Sequence, residues 1–170
     1  MNLSDIIIRS IEKTDVNNRH DFFLELAHTT TGVINTPQEI GVIPYDTKEQ
    51  IDYFLQKKFL WLVATYQEKI IGEIDIIPYQ AVKTKHVAKL TIGILPNFQS
   101  LGLGSKLMEN ALKWAKANRL ERIELFVFAS NEKAINLYKK FGFIIEGERK
   151  NFIKLANNAY ENDLLLAKYL

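Results

Sequence analysis

The chain has 170 residues, a net charge of +2, 47% apolar side chains and 25% charged ones. These values suit a single globular domain over 1–170 with enough chain to bury a core. They exclude a dedicated nucleic-acid binder, which is strongly basic. The absence of cysteine excludes disulfides, a thiolate nucleophile and a Cys-based zinc site.

The first apolar run, Ile6–Arg9, reads as a strand and is too short for a signal peptide or a membrane span. The expectation is a soluble cytoplasmic protein with neither a membrane nor a nucleic acid as partner. Residues 16–29 carry Phe22, Phe23, Leu26 and Ala27 at helical spacing. The stretch from Thr30 to Pro44 reads as irregular, and a loop of that length is usually functional. A second helix is expected over Asp46–Phe59, with Thr47 as cap and Gln50 three residues on.

Leu60–Tyr66 and Ile70–Ile77 form a strand pair around the turn at Gln67-Glu68-Lys69. A further strand is expected over His86–Leu95. An amphipathic helix follows over Gly104–Asn118, with Leu103, Leu107, Ala111, Trp114 and Ala115 directed inward. Arg122–Phe128 reads as a strand, and Asn131–Phe141 as a helix stopped by Gly142. Phe143–Leu155 and Tyr160–Tyr169 read as a final hairpin. Strands and helices mix without regular alternation, which points to a mixed α+β fold with helices on both faces of its sheet. The apolar Leu164–Leu166 suits either core or an interface, so a homodimer is an open expectation.

The segment Gln99-Ser100-Leu101-Gly102-Leu103-Gly104-Ser105 joins a strand to a helix. A helix N-terminus has N–H groups without intrahelical partners and a partial positive charge, and spaced glycines let phosphates approach it. The spacing fails the Walker pattern, since Gln99 stands where its first glycine is needed. Leu107 breaks the dinucleotide fingerprint. His20, His28 and His86 have no metal-ligand spacing, so no metal is expected.

Thirty residues downstream, Asn131, Ala134, Tyr138, Gly142 and Phe143 complete a second pattern, N-x-x-A-x-x-x-Y-x-x-x-G-F. With Pro96 and Q-x-x-G-x-G, it resembles the GNAT superfamily of acetyl-CoA-dependent N-acetyltransferases, most strongly over residues 86–146. Within that superfamily the chain looks most like the bacterial branch that includes ribosomal-protein and small-amine acetyltransferases.

The resemblance implies the acyl-CoA N-acyltransferase fold, a mostly antiparallel twisted sheet. It implies acetyl-CoA as cosubstrate and a primary amine as acceptor, either a small molecule or a protein N-terminus. The pyrophosphate is then bound by backbone N–H groups of Leu101, Gly102, Leu103, Gly104 and Ser105, with Gln99 supporting the loop. The pantetheine arm pairs with the strand at Ile92 and Ile94. Asn131 contacts the cofactor or caps its helix, and Tyr138 protonates the leaving thiolate. A phenol, with a reference pKa of about 10, holds the proton this needs at neutral pH.

The general base stays open among Glu73, Asp75 and His86, with Glu73 taken as the catalytic candidate. Relatives commonly carry an acid where Lys89 stands. That departure supports an alternative, a non-catalytic acyl-CoA-binding module. A phosphate-binding domain unrelated to CoA is a further alternative.

Overall fold

The computed structural model describes residues 5–41 and 44–170. Strands β1 (Ile7–Ser10), β2 (Leu60–Tyr66), β3 (Lys69–Pro78), β4 (Val87–Ile94), β5 (Arg122–Phe128), β6 (Ile144–Lys154) and β7 (Tyr160–Tyr169) form one sheet. Its order is β1-β2-β3-β4-β5-β7-β6. Neighbours pair antiparallel at β1/β2, β2/β3, β5/β7 and β6/β7, and parallel at β4/β5. The helices are α1 (Val16–Thr29), α2 (Pro37–Gly41), α3 (Pro44–Lys57), α4 (Leu103–Ala117) and α5 (Glu132–Lys140). The mixed α/β architecture with a mostly antiparallel sheet matches the expectation.

Two expected elements need correction. The stretch from Thr30 to Pro44 is not wholly irregular, because Pro37–Gly41 forms a short helix. Glu39 closes its first turn by accepting from the Thr36 N–H at 2.7 Å. The next helix begins at Pro44 rather than Asp46, so Thr47 is an interior, buried residue and not a cap. Val42 and Ile43, within the expected loop, lie outside the described residues.

The chain divides into two compact units, Met1–Ile77 with Thr91–Trp114, and Pro78–Leu90 with Ala115–Leu170. In the first unit, glycines let the layers approach closely. A Cβ on Gly93 would lie 2.8 Å from Leu26 Cδ2 of α1, nearer than side chains tolerate. A Cβ on Gly72 would meet Ile94 at 3.2 Å and Leu103 of α4 at 3.6 Å. Gly93 and Ile94 point to opposite faces of β4. Helices α1 and α4 therefore cover opposite faces of β3 and β4 within this unit. The hairpin of β2 and β3 turns through Gln67 and Glu68, both at positive φ (49° and 66°). That is the two-residue turn whose twist matches a hairpin.

In the second unit, β5 buries Ile123, Leu125 and Val127, and β7 buries Leu166 and Ala167. Helix α5 buries Ile135 and Tyr138. The β6/β7 ladder shifts register between Ile145 and Gly147, runs on to Arg149↔Asp163 and resumes at Ile153↔Glu161. Lys150, Asn151 and Phe152 bulge between those points opposite Asn162 alone. Asn151 takes φ 53° there, and its N–H donates to Asn162 Oδ1 at 2.8 Å. A bulge bends its strand and re-aims side chains.

Candidate active site

The glycine loop and β4's C-terminal half belong to the first unit. Ile92 and Ile94 are half-buried. The Leu95 N–H donates to Ile71 O at 3.0 Å, tying the strand end to β3. A 3-10 turn over Pro96–Phe98 redirects the chain. Gln99 folds back, its Nε2 donating to Ile94 O at 2.9 Å. Ser100 (φ 61°) and Gly102 (φ 85°) then occupy left-handed conformations. Gly102 O accepts from the Lys106 N–H at 3.1 Å.

These torsions start α4 abruptly at Leu103, whose side chain is buried and anchors the corner. The N–H groups of Leu103 and Gly104 then lie in a first helical turn without intrahelical acceptors. Gly104 and Ser105 are half-buried and Leu101 is exposed. This donor set suits a pyrophosphate, since each N–H to an anionic oxygen makes a charge-assisted bond.

Glu73 also belongs to the first unit. It is buried on β3 and faces α1. Arg19 Nη2 donates to Glu73 Oε1 at 3.1 Å, and Arg19 Nε donates to Glu73 Oε2 at 3.2 Å. Trp61 Nε1 donates to the same Oε2 at 3.1 Å. Arg19 stacks on Phe23 with its Cζ 4.4 Å from the ring centroid. Sequence reasoning missed this partner. The available signal was an arginine beside Phe22 and Phe23 on the apolar side of a helix, where a charge needs a counter-ion. Asp75 is buried as well.

Asn131 and Tyr138 belong to the second unit. Asn131 caps α5, its Oδ1 accepting from the Ala134 N–H at 3.1 Å. Tyr138 lies on the buried side of α5, its ring 5.9 Å from that of Phe143. Burial pushes the phenol's pKa well above the usual tyrosine value, so it stays protonated. Among the described residues no enclosed side-chain polar atom lacks a partner.

His86 is exposed, and its carbonyl accepts from the N–H groups of Glu121 and Arg122 at 2.8 and 3.2 Å. Lys89 is exposed on β4. Among the described residues, no cluster of three His, Asp or Glu could hold a metal ion, and no helix is long and apolar enough to cross a membrane.

The mostly antiparallel sheet and the glycine-bearing turn into α4 are the features to set beside known proteins. The acetyltransferase (GNAT) family model matches residues 30–143, and the chain belongs to that family. It is 34% identical over 111 residues to an L-amino acid N-acetyltransferase of Escherichia coli, covering 63% of this chain and 66% of that protein. The chain thus spans just under two thirds of that relative. A GNAT-family acetyltransferase from Streptococcus pneumoniae superposes with a TM-score of 0.90 at 26% identity, over 97% of this chain and 99% of that one. A phosphinothricin acetyltransferase from Sinorhizobium meliloti, in complex with acetyl-CoA, shares the fold at 13% identity. Its TM-score is 0.84, over 98% of this chain and 89% of that one.

Proposed function

We propose that the protein transfers an acetyl group from acetyl-CoA to a primary amine by direct attack. The observation that carries this reading is the turn at Gly102, which opens α4 with backbone donors suited to a pyrophosphate. In this reading Leu101, Gly102, Leu103, Gly104 and Ser105 bind the pyrophosphate, and Gln99 holds their loop to Ile94. The backbone of Ile92 and Ile94 takes the pantetheine amides. Asn131 orders the start of α5, and Tyr138 donates its proton to the departing thiolate.

Glu73 enters the proposal differently. Its carboxylate already accepts three hydrogen bonds, two of them from Arg19. Taking a proton from the amine would weaken that ion pair. Glu73 therefore acts as an anchor for α1; the amine attacks in its neutral form, and the proton it sheds on becoming the amide passes to water, matching the one that Tyr138 gives the thiolate and regains from solvent.

Release of CoA thiol, followed with a panel of primary amines, tests the reading. Acetyl-CoA at 100 times its Kd should also add about 2.7 kcal/mol of stability. No release with any amine, together with no stabilisation, overturns the proposal. Stabilisation without release would favour a binding module, the reading that Lys89 supports. An equal response to ADP would favour a general phosphate site.

A further inference from the structure

Within the first unit, the last residue of β2 reaches the turn that leads into the glycine loop. Tyr66 ends β2, and Phe98 ends the 3-10 turn over Pro96–Phe98. Their ring centroids lie 5.8 Å apart with the planes at 56°, within the range of a favourable aromatic pair. Strand β3 lies between β2 and β4 in the sheet. The contact therefore ties together two segments that no ladder joins directly. Both side chains are half-buried, so truncating either one leaves the core in place.

Tyr66 is a fixed platform. The chain turns beyond it through Gln67 and Glu68, and Lys69 is its register partner on β3. Asn18 of α1 pins that turn from both sides. Its Nδ2 donates to Glu68 O at 2.6 Å, and its Oδ1 accepts from the Ile70 N–H at 2.9 Å. An exposed hairpin tip ordinarily frays. This one is held to a helix.

The turn at Phe98 needs such a platform. The Phe98 N–H donates to Leu95 O at 2.9 Å and the Gln99 N–H to Pro96 O at 3.2 Å. Gln99 Nε2 also bonds back to Ile94 O. These bonds set the shape of the turn from its own residues. They do not fix where it stands over the sheet. Two residues past Phe98, Ser100 holds φ 61°, a left-handed conformation that costs a residue with a Cβ. Such a conformation persists only where its surroundings over-determine it. The buried Leu103 anchors the far end of the loop. The ring of Phe98 on Tyr66 anchors the near end. Donors held in place at both ends lose less freedom when an anion binds.

We infer that Tyr66 is a positioning residue for the glycine loop, acting through the ring of Phe98. The role belongs to the ring of Tyr66 and not to its hydroxyl. This inference rests on the acetyl-transfer reading, in which that loop receives the pyrophosphate of the donor.

Calorimetric titration of the full chain with CoA tests it. Tyr66→Ala and Phe98→Ala should each raise the Kd about fivefold, the scale of one aromatic pair. Tyr66→Phe keeps the ring and should stay within about twofold of the wild type. The double alanine variant should bind no more weakly than either single one, because both lose the same contact. With an amine that the wild type acetylates, the effect of Tyr66→Ala should fall on the KM for acetyl-CoA rather than on kcat. A merely structural loss would lower the melting temperature and leave the Kd in place.

An unchanged Kd in folded Tyr66→Ala overturns the inference. So does a Tyr66→Phe protein as weak as Tyr66→Ala, or two alanine effects that multiply in the double variant. Absence of CoA binding by the wild type overturns the acetyl-transfer reading instead. Amide exchange then decides the role of Tyr66. The bonded N–H groups of Phe98, Gln99 and Lys106 should exchange faster in Tyr66→Ala than in the wild type or Tyr66→Phe. Equal exchange in all three proteins overturns the inference.

Discussion

Arg19 and Glu73 form a buried two-point ion pair, 54 residues apart in sequence, that joins α1 to β3. Removing one partner strands the other charge in the interior, at a cost of about 3–5 kcal/mol. Glu73→Ala should therefore lower stability by that amount in urea denaturation. Glu73→Gln, which keeps the Trp61 contact, should cost less and retain most of the turnover per folded molecule. A folded Glu73→Gln protein without turnover would restore the base role to Glu73.

Tyr138 is tested by one atom. Tyr138→Phe keeps the ring on Phe143, so the circular dichroism and melting temperature should hold. Loss of a positioned proton donor should lower kcat by about 10²-fold or more. The wild-type pH profile carries a second check. Burial raises the phenol's pKa above its ordinary 10.0, so ionisation of Tyr138 should produce no loss of rate below that pH. Full kcat in Tyr138→Phe would remove the general-acid assignment.

Gly102 sits at φ 85°, where a side chain is strained. Gly102→Ala should lower stability by about 1–2 kcal/mol and raise the KM for acetyl-CoA, because the corner that aims the α4 donors must shift. An unchanged KM would separate the loop from donor binding.

Asn131→Ala removes the cap on α5 and should destabilise the protein by about 1 kcal/mol. Asn131→Asp, which caps as well, should restore stability. A role in donor binding beyond capping would appear as a raised acetyl-CoA KM that Asn131→Asp does not rescue.

Asp15 governs part of the acid behaviour. Arg9 donates to its carboxylate at 2.6 and 2.7 Å, and the Glu12 N–H donates at 2.9 Å. The Arg9 bonds lead in holding its pKa below the ordinary 3.8, against an opposing effect of burial. A depressed pKa means this stabilisation is complete above 3.8 and is lost as the pH falls through the lower folded value. Asp15→Asn should flatten the dependence of the urea midpoint on pH below about 4. An unaltered slope would count against the pair.

Much of the fold was legible because its periodicities are long and clean. Residues 16–29, 60–66, 122–128 and 160–169 were read with the bounds the structure has. The start of α3 is not legible because a threonine with a glutamine three residues on imitates a cap, although residues 44–46 are already helical. The loop from Gln99 to Ser105 was recognisable because glycine has few reasons to recur at that spacing. Partnerships were not legible. Nothing in Glu73 names Arg19, and nothing in Arg149 names Asp163, since both depend on how distant strands and helices come into register. The bulge at Lys150–Phe152 was hidden for the same reason, because an extra pair of residues is visible only against the partner strand.

Gly93 binds two positions into one evolutionary unit. With 2.8 Å between its missing Cβ and Leu26 Cδ2, residue 93 is not free to gain a side chain while leucine at 26 keeps its present rotamer. A lineage that acquires alanine at 93 would need a shorter side chain at 26 first, or would have to swing the end of Leu26 aside. The order in which the two changes can accumulate is thus biased: position 26 can shorten on its own, and alanine at 93 should be found mostly after it has.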